Sequence, residues 1–326
     1  MNQVKFGLFL PTGDFAQARA AAEWADTHGF YSVSMNDHFF TPLGPPKTPQ
    51  LECFTTLTAV AALTKRVRLT PSVVAASFRT PPLLAKITST LDQVSKGRLT
   101  LGLGAGWKQD EYEAHGYPYP SNAERLAQLG EAIKVLKAMW TQEEPTFHGK
   151  YFTVEKAYNQ PRPLQRPHPP LMLGGSGSGL LKIAAAEADI INLIPPIFNG
   201  KDFVNDPVAT VKFDTAELKR RIAMLQKFTK EAGRNPQDIE IGGLVFLNMS
   251  RNTGDAALRN MATHLGFPNL ETAYHSPVML MGTPDEVRRE LKSRIENIGM
   301  TYYIVAPASE ESRELFAKEV MPEFTA

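Results

Sequence analysis

The feature that most constrains the fold of this 326-residue chain is a regular alternation of short apolar segments with amphipathic ones. Eight apolar segments of strand length occur, near residues 4, 31, 67, 98, 171, 189, 239 and 301, and a helical pattern follows each of them. Strands that are apolar throughout must be covered on both faces, which favours a parallel sheet. Eight strand–helix units therefore predict an α/β fold, a (β/α)8 TIM barrel, with a doubly wound open sheet as the alternative.

Three stretches interrupt this alternation, at about 143–170, 196–213 and 266–281. Between and around them, helices beyond the first are predicted at about 52–64, 82–95, 121–141, 178–187, 214–232, 254–265 and 284–297. Barrels of this length commonly form one unit. The sequence thus predicts a single domain over 1–326 that carries three insertions.

Charge and cysteine content exclude several classes of protein. A formal net charge of +1 provides no electrostatic footprint for nucleic acid or for an anionic membrane. A run of roughly 18 apolar residues, which a membrane span requires, does not occur in the sequence. One cysteine, Cys53, cannot form an internal disulfide, which is consistent with a cytoplasmic protein.

The second predicted strand ends in Asp37 and His38. In a (β/α)8 barrel the active site lies at the carboxyl ends of the strands, and an imidazole there can bind a cofactor or move a proton near neutral pH. The alternative is structural, with Asp37 turning the loop and His38 packed as a satisfied polar residue. No two of the seven histidines are four residues apart on a helix, so a catalytic metal is not expected.

A glycine-rich turn joins the predicted strand at 171–175 to the helix at 178–187. Glycines let the backbone approach a phosphate, and the free N–H groups of a helix N-terminus favour an anion. A phosphate-bearing cofactor held by Gly174 to Gly179 is the prediction, and a flexible turn is the alternative. The turn matches neither the nucleotide-hydrolase loop nor the dinucleotide-binding fingerprint.

The segment after the fourth predicted strand combines missing side chains with an aromatic ring. Gly102, Gly104 and Gly106 leave space at the end of the barrel, and Trp107 and Tyr112 supply flat surfaces, which together suit a ring-shaped ligand. In the alternative interpretation, Trp107 only plugs the barrel, and Asp110 and Glu111 begin a helix with charges that suit its dipole.

The third predicted strand contains a proline. In "LTPSVVAASFRTPP", residues 69–82, Pro71 lacks the N–H that a sheet requires, so regular pairing is expected to end there.

Several motifs, in the same order along nearly the whole chain, resemble the luciferase-like monooxygenase superfamily of flavin- and deazaflavin-dependent oxidoreductases, and especially its coenzyme F420-dependent branch. The most specific are "GRLTLGLGAGW" (97–107) and "PRPLQRPHPPLMLGG" (161–175), supported by the "DHF" that starts at Asp37. The resemblance implies a (β/α)8 barrel whose mouth binds the cofactor ring.

The resemblance also implies roles for particular residues. Asp37 and His38 are expected to contact or adjoin the deazaflavin, and a non-prolyl cis peptide at Ser72-Val73 is expected to support the ring from behind. The cofactor phosphate is expected at Gly174, Gly175 and Ser176, with Gly177 adjacent. Gly104 and Gly106 are the remaining candidates for cofactor contact, and Trp107 is expected to form a wall of the substrate pocket.

Two departures from the F420-dependent sugar-phosphate dehydrogenases affect the expected substrate. Trp107 occupies the position of their acidic residue, and the first strand lacks their glutamate. The sequence therefore predicts hydride transfer between F420 and a small, less polar organic substrate, with His38 as the proton donor or acceptor.

Two other functions stay open at this point. The first is an FMN-dependent monooxygenase that uses reduced flavin and O2 and needs a separate flavin reductase. The second is a flavin-binding barrel without catalysis. Relatives of this kind are commonly dimers, so a homodimer is expected in each case.

Overall fold

The computed structural model describes residues 3–42, 44–196, 211–252 and 256–325. The insertion predicted at 196–213 therefore lies almost wholly outside the described residues.

Within these ranges a ten-stranded sheet and a small two-stranded sheet are present. The strands, in chain order, are β1 (Lys5–Phe9), β2 (Ser32–Met35), β3 (Arg68–Pro71), β4 (Val74–Ala75), β5 (Leu101–Gly104), β6 (Phe147–His148), β7 (Thr153–Val154), β8 (Leu171–Gly174), β9 (Ile190–Asn192), β10 (Glu240–Met249), β11 (Met279–Gly282) and β12 (Met300–Pro307).

Helices follow the strands as the alternation predicts. They are α1 (Phe15–Thr27), α2 (Cys53–Leu63), α3 (Pro81–Val94), α4 (Gln109–Ala114), α5 (Asn122–Thr141), α6 (Ser178–Glu187), α7 (Thr215–Glu231), α8 (Ala256–His264), α9 (Leu270–Tyr274), α10 (Pro284–Ile298), α11 (Glu310–Leu315) and α12 (Pro322–Thr325). A π-helical turn, Phe316–Val320, joins α11 to α12. Among the described helices, none combines the length and the apolar composition needed to cross a bilayer.

The parallel strands form a nearly closed ring. Strand β1 pairs with β2 and β12, β2 pairs with β3, and the order continues β4, β5, β8, β9, β10 and back to β12. The ring passes from β3 to β5 through a bridge between Leu69 and Leu99 and through β4. With β3 and β4 taken as two halves of one strand, the barrel prediction is confirmed and the doubly wound alternative is wrong.

Two parts of the chain differ from the predicted pattern. The third insertion, 266–281, contains α9 and most of β11, and β11 pairs in parallel with the end of β10 from Phe246 to Met249. The ten-residue β10 is long enough to pair with β9 at its start and with β11 at its end. The alternation predicted a helix after the last strand but gave no bounds for it, because α11 and α12 are each too short to show a helical period.

The lower part of the barrel is filled with side chains, as barrels of this size require. Met172, Ile190, Tyr302 and Ile304 form a buried cluster, and the Tyr302 hydroxyl lies 2.6 Å from Ser32 Oγ. These side chains fill the barrel here, and a cavity lies towards the carboxyl ends of the strands.

Candidate active site

A cavity of about 760 Å3 opens at the carboxyl ends of the strands. This volume suits a cofactor or a drug-sized molecule. Gly102, which was predicted to leave space here, is not among its lining residues. The other candidate residues line it, namely Asp37, His38, Ser72, Val73, Gly104, Gly106, Trp107, Gly174, Gly175, Ser176 and Gly177. Residues from four different strand ends are thus brought together, although the cavity by itself does not say what each one does.

The third strand is broken where the sequence predicts. β3 ends at Pro71, the Ser72-Val73 peptide is cis, and β4 begins at Val74. The Ser72 N–H donates to Met35 O at 2.8 Å. The predicted cis peptide is confirmed, and it lies in the wall of the cavity.

The glycines around this peptide accommodate Val73. A Cβ on Gly104 would come within 2.9 Å of Val73 Cγ2, and a Cβ on Gly174 within 2.8 Å of both Val73 methyl groups. A Cβ on Gly106, where φ is +79°, would overlap the Tyr112 hydroxyl. Part of the space that the sequence analysis assigned to a ligand is therefore filled by the protein's own Val73 and Tyr112.

Asn192 ties the broken strand to its neighbours, and sequence reasoning missed it. Its Nδ2 donates to Ser72 Oγ at 3.1 Å, and its Oδ1 accepts from the Leu244 N–H at 2.9 Å. A polar residue in the middle of the apolar segment 189–195 was the available signal.

Asp37 forms a bidentate ion pair with Arg79 at 2.8 and 3.0 Å, and Arg79 also binds Glu52 at 2.6 Å. Burial raises the pKa of the Asp37 carboxyl, and the Arg79 guanidinium opposes this rise. Both oxygens of Asp37 are engaged, so this residue lines the cavity while anchoring the loop that carries His38. The pair also explains the position of Arg79 in "SFRTPP".

His38 is held by a carboxylate that sequence analysis treated only as a possible helix-start charge. Glu111 on α4 is fully buried, and its Oε2 lies 2.7 Å from His38 Nδ1. Its Oε1 accepts from the backbone N–H groups of Phe39 and Phe40. The helix-dipole interpretation of Glu111 is thus insufficient, because the side chain points back to the loop after β2.

Trp107 stands beside His38, with ring centroids 5.6 Å apart and planes at 71°. Its carbonyl accepts a hydrogen bond from the Tyr119 hydroxyl at 2.8 Å, which fixes the backbone there. The indole lines the cavity next to the imidazole, as a wall of a substrate pocket would.

The glycine-rich turn leads into the N-terminus of α6. Gly175 has φ +140°, and Gly177 is the N-cap without a side-chain cap bond. The Ser176 side chain is 2% exposed, and its hydroxyl has no partner among the described residues. A buried hydroxyl without a partner costs free energy, so this one fits a ligand that would accept its hydrogen bond.

Arg125 brings a positive charge to the same cavity, and sequence reasoning did not identify it. The residue is 8% exposed, its Nε donates to Gly106 O at 3.3 Å, and its guanidinium stacks on Tyr119 at 4.0 Å. No carboxylate pairs with it within the described ranges. A cation in the first turn of a helix opposes the dipole, and this signal in the sequence could have indicated a ligand.

Metal ligation finds no support in the described ranges, where no three His, Cys, Asp or Glu side chains come together as a metal site requires.

Comparison with known proteins agrees with this geometry. The model of the luciferase-like monooxygenase family matches residues 4–293, so the chain belongs to that family. The chain is 25% identical over 338 residues to an F420-dependent glucose-6-phosphate dehydrogenase of Nakamurella multipartita, covering 99% of this chain and 97% of the relative. It is also 31% identical over 176 residues to an FMNH2-dependent dimethylsulfone monooxygenase of Pseudomonas putida, covering 54% and 48%.

Other matches are partial or concern the fold alone. Mycobacterial proteins of uncharacterized function are 33% identical over 189 residues, and the chain spans 66% of their length. An F420-dependent secondary alcohol dehydrogenase, solved with an F420-acetone adduct, superposes with a TM-score of 0.81 at 21% identity and 98% coverage of both chains. The chain is thus a member of the luciferase-like monooxygenase family, and its relatives include F420-dependent and FMNH2-dependent enzymes.

Proposed function

We propose that the protein transfers a hydride between the deazaflavin coenzyme F420 and a small organic substrate that is not a sugar phosphate. The observation that carries this proposal is the juxtaposition in one cavity of an anion cradle, formed by Ser176 and Gly177, and an imidazole, that of His38. The F420-dependent relative matches this chain from end to end, whereas the match to the FMNH2-dependent relative covers about half of it.

The described residues fit the phosphate of such a cofactor. The N–H groups at the start of α6 and the Ser176 hydroxyl would donate to it, and Arg125 would supply charge. Leu126, the neighbour of Arg125, lies against the first turn of α6, since a Cβ on Gly179 would be 2.7 Å from its Cδ1. Charge-assisted hydrogen bonds of this kind are about twice as strong as neutral ones.

The opposite end of the cavity would hold the reacting groups. The cis peptide at Ser72-Val73 would support the ring, and His38 and Trp107 would face the substrate. When bound, F420 supplies or accepts the hydride. The side chains of Phe9, Ile194 and Phe246 contribute apolar surface to the cavity, which supports a less polar substrate.

One observation favours the FMN-dependent alternative, namely the similarity of this chain to the FMNH2-dependent relative. In that case a separate reductase would deliver the reduced flavin, and the same cavity would host oxygen chemistry. A homodimer is proposed for either cofactor, and light scattering on the purified protein tests it.

Parallel titrations of the purified protein with F420 and with FMN test the cofactor proposal. We expect F420 fluorescence to be quenched with micromolar or tighter affinity and FMN to bind at least about 10-fold more weakly, a difference of about 1.4 kcal/mol. Tight binding of FMN alone would overturn the proposal in favour of the monooxygenase.

Catalysis is tested by His38→Ala. Turnover should fall much more than cofactor affinity, because the imidazole moves a proton rather than holding the cofactor. Equal losses in both would make His38 a binding residue, and cofactor binding without turnover of any substrate would support the non-catalytic alternative.

A further inference from the structure

The carboxylate of Glu111 contacts His38 in the wall of the cavity. Its three hydrogen bonds join α4 to the loop after β2. Its partner His38 lies 73 residues earlier in the sequence. The Glu111 side chain is fully buried, while that of His38 is 13% exposed towards the cavity. The two residues therefore form a buried pair whose solvent-facing member is the imidazole.

The donors around Glu111 determine which atom of the imidazole carries a proton. Oε1 accepts from the N–H groups of Phe39 and Phe40, and these donors cannot be reversed. An ionised carboxylate only accepts hydrogen bonds, so the 2.7 Å contact of Oε2 requires a proton on His38 Nδ1. The neutral imidazole then has its lone pair on Nε2, which has no partner among the described residues and belongs to the cavity wall.

We infer that Glu111 is a positioning residue that holds His38 with its proton on Nδ1, so that Nε2 accepts the substrate proton during hydride transfer. The catalytic consequence of this role rests on the proposed function, whereas the tautomer of His38 is a property of the protein alone. A carboxylate that orients a histidine through its second nitrogen is a general way to fix both the ring and its tautomer.

During the proposed hydride transfer, the proton and the electron pair that the substrate loses go to different acceptors. In the direction of substrate oxidation, the substrate's O–H or N–H bond breaks and an Nε2–H bond forms on His38. The electron pair of the adjacent C–H bond would leave as a hydride to oxidised F420, the acceptor that the bound cofactor would supply, and a double bond would form between the carbon and the heteroatom. The imidazolium keeps its Nδ1–H bond to Glu111 and then releases the Nε2 proton to solvent. Substrate reduction follows the reverse course.

The first test measures the tautomer in the cofactor-free protein. Nitrogen NMR of protein labelled with 15N-histidine reports which nitrogen of each ring is protonated, and the signals lost in His38→Asn identify His38 among the seven histidines. We expect Nδ1 to be protonated in the wild type and a mixture of tautomers in Glu111→Gln. An Nε2–H tautomer in the wild type would overturn the inference.

The second test measures kinetics with F420 and a turned-over substrate. Glu111→Gln should lower kcat by about 10- to 100-fold, the range seen for groups that orient a functional histidine, with KM and F420 affinity changed less than about threefold. Glu113→Gln is the matched control, because Glu113 is exposed on the same helix and its side chain bonds only to Gln109 among the described residues. Equal kcat values for the two variants would contradict the proposed role.

A double variant separates positioning from general loss of structure. If Glu111 acts through His38, adding Glu111→Gln to His38→Asn should lower kcat no further, whereas a purely structural role would add a further loss. Should Glu111→Gln fail to fold, the wild-type tautomer still decides the question. If neither F420 nor FMN binds, the proposed function fails, while the NMR result remains interpretable.

Discussion

Helices α5 and α6 both begin at the cavity, but their N-termini are completed differently. α5 has a capping box, in which Ser121 and Glu124 satisfy each other's backbone N–H groups. α6 begins at Gly177 with no side-chain cap bond, directly after the buried Ser176 hydroxyl that has no partner in the described chain. The first four N–H groups of any helix need an acceptor from outside the helix.

The protein thus supplies side-chain hydrogen-bond partners for the N-terminal N–H groups of α5 but not for those of α6. A capping box adds about 1 kcal/mol of stability, so leaving it out at α6 has a cost. The anion site proposed at the α6 N-terminus would offset that cost when its ligand is bound, whereas the α5 N-terminus needs no ligand.

The largest effect is expected when α6 is given a cap of its own. Gly177 has room for a side chain, since a Cβ there meets nothing within 4 Å. Gly177→Asp should cap α6, keep or raise Tm, and weaken F420 binding by about 100-fold, because a fixed carboxylate competes with and repels the phosphate. The matched control, Ser121→Asp at α5, should leave affinity unchanged. Equal affinities of the two variants, by fluorescence titration, would exclude a phosphate at α6.

A smaller effect is expected when one hydroxyl is removed at the start of each helix. Ser176→Ala should weaken cofactor binding by about 10-fold, the value of one hydrogen bond to a charged group, without loss of stability in the cofactor-free protein. Ser121→Ala should leave binding unchanged and cost about 1 kcal/mol of unfolding free energy. Urea denaturation and titration on both variants measure the contrast, and a stability loss in Ser176→Ala would argue that this hydroxyl has a structural partner.

In a third backbone segment, a carboxylate of the protein itself accepts hydrogen bonds from successive N–H groups. Asp26 accepts from the N–H groups of Lys65, Arg66 and Val67 at 3.0, 2.6 and 2.8 Å. Burial alone would raise the pKa of Asp26, but these hydrogen bonds outweigh it and lower the pKa. The folded state thus binds the proton more weakly than the unfolded state does.

The smallest effect is expected from Asp26→Asn, and it depends on pH. Since the folded pKa is depressed, the stabilisation is complete above the unfolded value of about 3.9 and is lost as pH falls through the folded value. At pH 7 the variant should be about 1–2 kcal/mol less stable than the wild type. Urea midpoints measured from pH 7 down to pH 3 should draw closer together below about pH 4, and a constant difference would show that the hydrogen bonds do not depend on ionisation.

Much of the fold could be predicted because strands and helices have hydrophobic periods that are visible within a few residues of sequence. All eight barrel strands and most helices were recognised in this way. β11 was missed because its four residues, Met279–Gly282, form a strand only by pairing with the far end of β10. The cis peptide was predicted by matching a family motif, since Pro71 alone indicates a break in pairing but not its geometry.

The site was predicted less completely, and the omissions have a common cause. Arg79 and Glu111 act on Asp37 and His38 from 42 and 73 residues away. Arg125 reaches the cavity from a helix whose sequence is otherwise ordinary. Nothing in the local sequence around these residues specifies their partners.

The sequence by itself determined the alternation of elements, the glycine-rich turn and the residues at the strand ends, because these depend on backbone preferences and on burial patterns within a few residues. Only the tertiary structure decided that Asp37 is paired with Arg79, that Val73 fills the space left by Gly104 and Gly174, and that Glu111 faces His38. The physical reason is that closing the barrel brings loops from distant segments to one edge, where hydrogen bonds and packing are chosen by proximity in space.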